Sequence, residues 1–193
     1  MNTNVKKLTL IAAAVAINIV GSKIALLFNL PIFLDSIGTM LAGIVLGPVA
    51  GGITALVGGL ISGVLGDVYA IYFSLSGVLM GVIAGVVFYK KKTSFASIFW
   101  KTLIVTLPAS ALSACIETFL FGGITSAVVT TFLIQALSQT ALKLFGSAFL
   151  TQAVTDYVDK LIAIILVMES LKRLPDSLLK FDDNSSKKNE KAA

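Results

Sequence analysis

The stretch "ASIFWKTLIVTLPASALSACIETFLF" (96–121) sets one carboxylate, Glu117, behind a row of hydroxyls in an apolar run. At about 100° per residue, Thr106, Ser110, Ser113 and Glu117 (i, i+4, i+7, i+11) share one side of a helix. A second row, Gln152, Asp156 and Asp159 (i, i+4, i+7), lies in "QAVTDYVDKLIAIILVMESLKRL", where Lys160 is spaced to pair with Asp156. Asn18, Ser22 and Asn29 share a face of the first apolar run, and Tyr69, Tyr72 and Ser76 open the run that ends at Tyr89. Gln135, Gln139 and Lys143 (i, i+4, i+8) form one face if 124–150 is helical. Such amides, hydroxyls and carboxylates can hold a small polar molecule, a tyrosine can stack on a flat ring, and Lys143 can offset an anion. The same groups also make ordinary hydrogen bonds and ion pairs between helices. Glu117 is the sharper candidate, because a carboxylate in hydrocarbon is costly to keep.

Other chemistry is harder to build from this chain. It has no histidine, and its single cysteine, Cys115, can form no disulfide within the chain. Neither GxxxxGK[ST], HExxH nor GxSxG occurs. Glu117 and Asp156 could act as a carboxylate pair, but no nucleophile motif accompanies them. The chain reads as a non-enzyme with no metal site and no cofactor, unable to hydrolyse ATP itself.

These polar residues need elements to position them, and composition says which. The chain has 193 residues, 56% hydrophobic and only 13% charged, with a mean hydropathy of +0.95. A soluble domain of this size has no interior large enough for that much apolar sequence. Uncharged runs of about 20 residues lie end to end, as in helices that span hydrocarbon. The expected fold is all-α, a polytopic membrane protein. The net charge of +5 gathers at Lys6 and Lys7, at Lys90 to Lys92 and near the C-terminus. Short basic flanks of this kind mark topology rather than nucleic-acid binding.

Charge parity then counts the crossings. No charge lies between Asp35 and Asp67. A single crossing there would put the lysines at 90–92 on the opposite side from Lys6 and Lys7. Two crossings, broken at Gly47-Pro48, return them to the same side. The first arm, 34–46, is then about 20 Å long in a core of about 30 Å, so it must lean on neighbours or line a cavity. Its glycines allow close packing. The expectation is six transmembrane helices with both termini cytoplasmic. Residues 1–175 form one membrane domain, with a hairpin at 34–64 and an extracellular lid or re-entrant segment at 122–151. A last helix runs over about 152–174, and a polar tail, 176–193, is expected to be disordered. The outer connections are 29–35, 65–70 and 122–151, where the polar residues collect. Lys23 shares the side of Ala12 and Ala16 and is expected to snorkel to the outer surface.

The segments "FLDSIGTMLAGIVLGPVAGG", "FGGITS", "VTDYVDKLIAIILVMESLKRLP" and the alanine pair in "IAAAVAIN" together resemble an S-component of an energy-coupling factor (ECF) transporter. The resemblance covers most of residues 5–175. It implies a vitamin-binding subunit of a prokaryotic plasma membrane that docks on a transmembrane T-component carrying two ATP-hydrolysing A-components. The subunit topples to release its substrate inward. Ala12 and Ala16 match the family's AxxxA motif for docking on the T-component. The implied binding site lies in the loops joining helices one and two, three and four, and five and six. The expected site residues are Asn29, Tyr69, Tyr72, Ser76, Glu117, Gln135, Gln139, Lys143, Gln152 and Asp156. The hairpin and "TDYVDK" look most like pantothenate-specific members. A pyridoxine-type or pyrimidine ligand is the alternative, since Glu117 and Asp156 repel an anion. An autonomous secondary transporter would show an inverted repeat, and none is evident.

The parity argument predicts a labelling pattern. With Cys115→Ser as background, single cysteines at Lys91 and near Lys188 should react with membrane-impermeant reagents only from the cytoplasmic side. Labelling of either from outside would defeat six crossings.

Overall fold

A computed structural model describes residues 3–91 and 93–173; the tail expected at 176–193 lies outside them. The described residues form seven helices and no strand: α1 (Thr3–Leu27), α2 (Ile37–Leu46), α3 (Pro48–Val64), α4 (Val68–Phe88), α5 (Phe95–Phe121), α6 (Val128–Ser138) and α7 (Lys143–Arg173). The all-α fold is as the composition requires. Among the described residues, three stretches, Asn4–Leu27, Val68–Phe88 and Phe95–Phe121, are long and apolar enough to cross a membrane. Many large apolar side chains point outward, among them Leu8, Leu27, Val64, Trp100 and Phe119. Such a surface is unfavourable in water and suits hydrocarbon.

The uncharged stretch breaks at Gly47, whose φ of 100° favours glycine, and α3 restarts with Pro48 in its first turn. Proline there loses no hydrogen bond, because the first N–H groups of a helix are unpaired anyway. At 10 residues α2 is only about 15 Å long. Neighbours on every side satisfy it: Gly38, Thr39, Met40, Ala42, Gly43 and Ile44 are all buried. Its N-terminus is capped from another helix. The Asn18 carbonyl of α1 accepts from the Gly38 and Thr39 N–H groups at 2.7 and 3.3 Å, while its amide donates to Thr39 Oγ1 at 2.8 Å.

Backbone contacts hold α2, α3 and α4 together. A Cβ on Gly51 would stand 2.5 Å from the Gly81 carbonyl oxygen, and one on Gly81 would stand 2.6 Å from that of Gly51. Gly85 meets Pro48 still more tightly, and Gly38 meets the Ala14 carbonyl of α1. Between α4, α5 and α7 the packing is by larger side chains: Met80, Phe88, Ile98, Val105 and Ile164 share one cluster with α2's Met40 and Ile44.

Two expectations need correction. The last helix begins at Lys143, not near 152, so α7 has 31 residues. The 124–150 segment is not one helix: α6 ends at Ser138, a turn follows, and Lys143 takes a φ of 55°. Gln135, Gln139 and Lys143 therefore do not share one helical face. The spacing was regular, but "SQTALK" closes a turn in which the Thr140 hydroxyl and carbonyl take up local N–H groups.

The glycine contacts predict a stability difference. Gly81→Val must push backbone apart and should cost about 1–3 kcal/mol, read as a lower unfolding midpoint in detergent. At Gly58 an added Cβ meets Asn18 at an ordinary 3.7 Å. Gly58→Ala should leave the midpoint unchanged or slightly higher, since alanine favours the helix.

Candidate functional site

At the end of the bundle remote from Lys6, Lys7 and Lys90, a cavity of about 120 Å³ opens among the helices. Asn18 and Ser22 reach it from α1, Phe33 and Asp35 from the 28–36 loop, and Thr39 from α2. Gly58 and Ser62 of α3 and Phe73, Ser74, Ser76 and Met80 of α4 form one side. Ser113 of α5, Thr125 to Ala127, and Gln152, Asp156 and Lys160 of α7 form the other. Six of the seven described helices therefore converge on it, and α6 contributes no lining residue. The missing side chain at Gly58 helps leave the space, while Gly59 lets α3 close against Ser74 and Ala70 of α4.

Hydrogen bonds between helices fix the wall. Ser113 donates to Ser76 Oγ at 2.9 Å, joining α5 to α4. Ser110 donates to Asp156 Oδ2 at 2.7 Å, joining α5 to α7. The Gln152 amide donates to Glu117 Oε1, while Glu117 Oε2 is buried with no protein partner. Lys160 is the hub of the charged corner. Its ammonium lies 2.6 Å from Asp159, 3.3 Å from Asp156 and 3.5 Å from Asp35. Asp159 also accepts from the Leu34 N–H at 3.1 Å, so α7 holds the 28–36 loop at two successive residues. Leu34 has a φ of 51°, unusual for a branched residue, and these tethers flank it.

The expected residues separate clearly. Ser76, Gln152 and Asp156 lie in the wall. Glu117 sits behind Gln152, fully buried. Tyr69 and Tyr72 pack against Phe121, with ring centroids at 4.7 and 5.2 Å, and do not line the cavity. Asn29 is exposed at the end of α1 with a φ of 50°. Gln135 is exposed and donates to the Gly122 carbonyl at 3.0 Å, steadying the 122–127 turn. Gln139 and Lys143 are exposed and outside the lining. Lys23, also exposed, reaches the Leu65 carbonyl at 3.4 Å.

Sequence reasoning left out Asp35, Thr39, Phe33, Phe73, Thr125 and Ser126. Asp35 carried a signal, since it is the last charge before a long uncharged stretch. Phe33 and Phe73 carried none, because an apolar side chain in an apolar run says nothing about which way it points. Ala12 and Ala16 are exposed on the side of α1 away from Ala14, Val15 and Asn18, which are buried.

As a chemical device the site can enclose a small molecule, hydrogen-bond it from several helices and meet it with fixed charges. Among the described residues no group of three or more metal-ligating side chains of the His, Cys, Asp and Glu types is placed to hold a metal ion. No curated protein and no solved structure matches the chain. Residues 6–170 match the family model described as "ECF transporter, substrate-specific component". That match spans most of the sequence, and the chain belongs to the substrate-specific components of energy-coupling factor transporters.

Proposed function

We propose that this S-component captures a small water-soluble vitamin in the 120 Å³ cavity and delivers it inward by toppling on a T-component. Family membership implies that T-component and its A-components as partners. In this reading the chain crosses a prokaryotic plasma membrane six times with both termini inside, and the cavity opens outward. The 122–151 segment roofs it: Thr125, Ser126 and Ala127 reach the lining. The carrying observation is the convergence of six helices on one cavity, mainly apolar but with polar side chains from α1, α2, α3, α4, α5 and α7, at the end remote from the basic N-terminus.

Docking falls to the opposite side of α1. Ala12 and Ala16 leave a shallow, exposed surface where a partner helix can approach closely.

The pantothenate reading used Lys143 as the counter-charge, and Lys143 stands outside the lining. Lys160 is in the wall but already faces three carboxylates. Geometry therefore favours the pyridoxine-type or pyrimidine alternative over pantothenate.

Two measurements test this. Ala12→Trp and Ala16→Trp should abolish uptake in vesicles reconstituted with the T- and A-components, while the isolated protein still binds vitamin. Unchanged uptake in both would place the interface elsewhere. Calorimetry should find Gln152→Ala about ten- to a hundredfold weaker for the vitamin, as for a lost buried hydrogen bond. Gln139→Ala and Lys143→Ala should bind as the parent does. The reverse pattern would move the site out under α6.

A further inference from the structure

The charge of the cavity wall says more about the ligand than its shape does. Three lining residues are acidic, Asp35, Asp67 and Asp156, and among the described residues Lys160 is the one cation in the wall. The ammonium of Lys160 is engaged most closely by a fourth carboxylate, that of Asp159, which is fully buried behind the wall. Glu117 stands behind Gln152 as a further acid. Asp67 is occupied as the N-cap of α4, accepting from the Ala70 N–H. The remaining two, Asp156 and Asp35, both reach the same ammonium, at 3.3 and 3.5 Å, so their carboxylates stand at one point of the wall. The side chain of Asp35 is half exposed there.

An anion entering this corner would join an existing excess of negative charge, and Lys160 could serve it only by leaving a carboxylate unpaired. Breaking a buried pair in that way is strongly unfavourable. A cation entering the same corner meets two carboxylates whose capacity to accept is not filled, even with Lys160 on both and Ser110 on the largely buried Asp156, since a carboxylate offers about four lone-pair sites. The rest of the lining suits the apolar part of such a ligand. Phe33 and Phe73 present aromatic rings, which attract a cationic or electron-poor heterocycle, and Met80 adds a polarizable surface.

Resting on the capture reading above, we propose that the vitamin bound here carries a protonated or quaternary nitrogen, which is held at the Asp35–Asp156 corner while its ring lies among Phe33, Phe73 and Met80. The selectivity is for positive charge on a compact ring.

Three ligands that share one ring test it: pyridoxamine, with an ammonium at the varied position, pyridoxine, with a hydroxyl, and 4-pyridoxic acid, with a carboxylate. Calorimetry on the purified full chain in detergent should rank them in that order, with about tenfold or more between first and last, as expected for a charge-assisted hydrogen bond. Asp156→Asn should compress the ranking to within a few-fold. Asp35→Asn, on a half-exposed side chain, should do the same in part and separates loss of charge from loss of fold. Equal or tighter binding of the carboxylate would overturn the proposal. So would a ranking unchanged in both variants, or pantothenate binding more tightly than pyridoxamine. If neither these three, nor pantothenate, nor an aminopyrimidine with methyl and hydroxymethyl substituents binds, the capture reading for the ligand classes named above fails, and the charge preference falls with it.

Discussion

Direct backbone contact at Gly43, Gly51, Gly81 and Gly85 is the constraint on which the rest of this bundle depends. Between helices in lipid there is little hydrophobic drive, so association rests on close van der Waals packing and interhelical hydrogen bonds. Glycine supplies the closest packing available. Because α3 and α4 meet at that distance, α2, far too short to cross hydrocarbon alone, is enclosed rather than exposed. Its buried N-terminus then needs a partner, and Asn18 of α1 provides it. About two helical turns further along α3, Gly59 brings the helix against Ala70 and Ser74 of α4, while the absent side chain of Gly58 leaves room on the cavity side.

Polar groups take over where the glycines stop. Each of the bonds Ser76–Ser113, Ser110–Asp156 and Gln152–Glu117 joins two different helices, and together they tie α5 to α4 on one side and α7 on the other. Inside a low-dielectric bundle, paired groups of this kind favour one packing, because an alternative arrangement leaves more of them unpaired; Glu117 Oε2 is the atom of this network left without a protein partner. Lys160 extends the network to the 28–36 loop through Asp35.

The sequence announces some of this and is silent on the rest for physical reasons. The break at Gly47-Pro48 was legible because proline cannot donate within a helix and glycine alone tolerates the φ observed there. The α5 and α7 polar rows were legible because helical spacing survives burial, and Ser113, Gln152 and Asp156 do face inward together. The 124–150 stretch misled because periodicity cannot see a turn formed by local side-chain hydrogen bonds, as at Thr140. Tyr69 and Tyr72 misled differently: aromatic rings near a loop can face a ligand or a neighbour, and here Phe121 claims them. The acidic corner could not be foreseen, since Asp35 and Asp156 are far apart in sequence and meet only through Lys160.

One helix, α1, carries both an exposed alanine face and a wall of the cavity. Ala12 and Ala16 look outward, while Asn18 looks in and Ala14 touches Gly38 with no slack for a methyl group. A helix about 10 Å wide thus separates the two surfaces. If Ala12 and Ala16 form the docking face as proposed and filling the cavity shifts α1, docking changes in strength, and docking changes the affinity for the captured molecule by the same factor, because linkage between two binding events is reciprocal. Loading and assembly are then two readings of one equilibrium, written on opposite sides of a single helix.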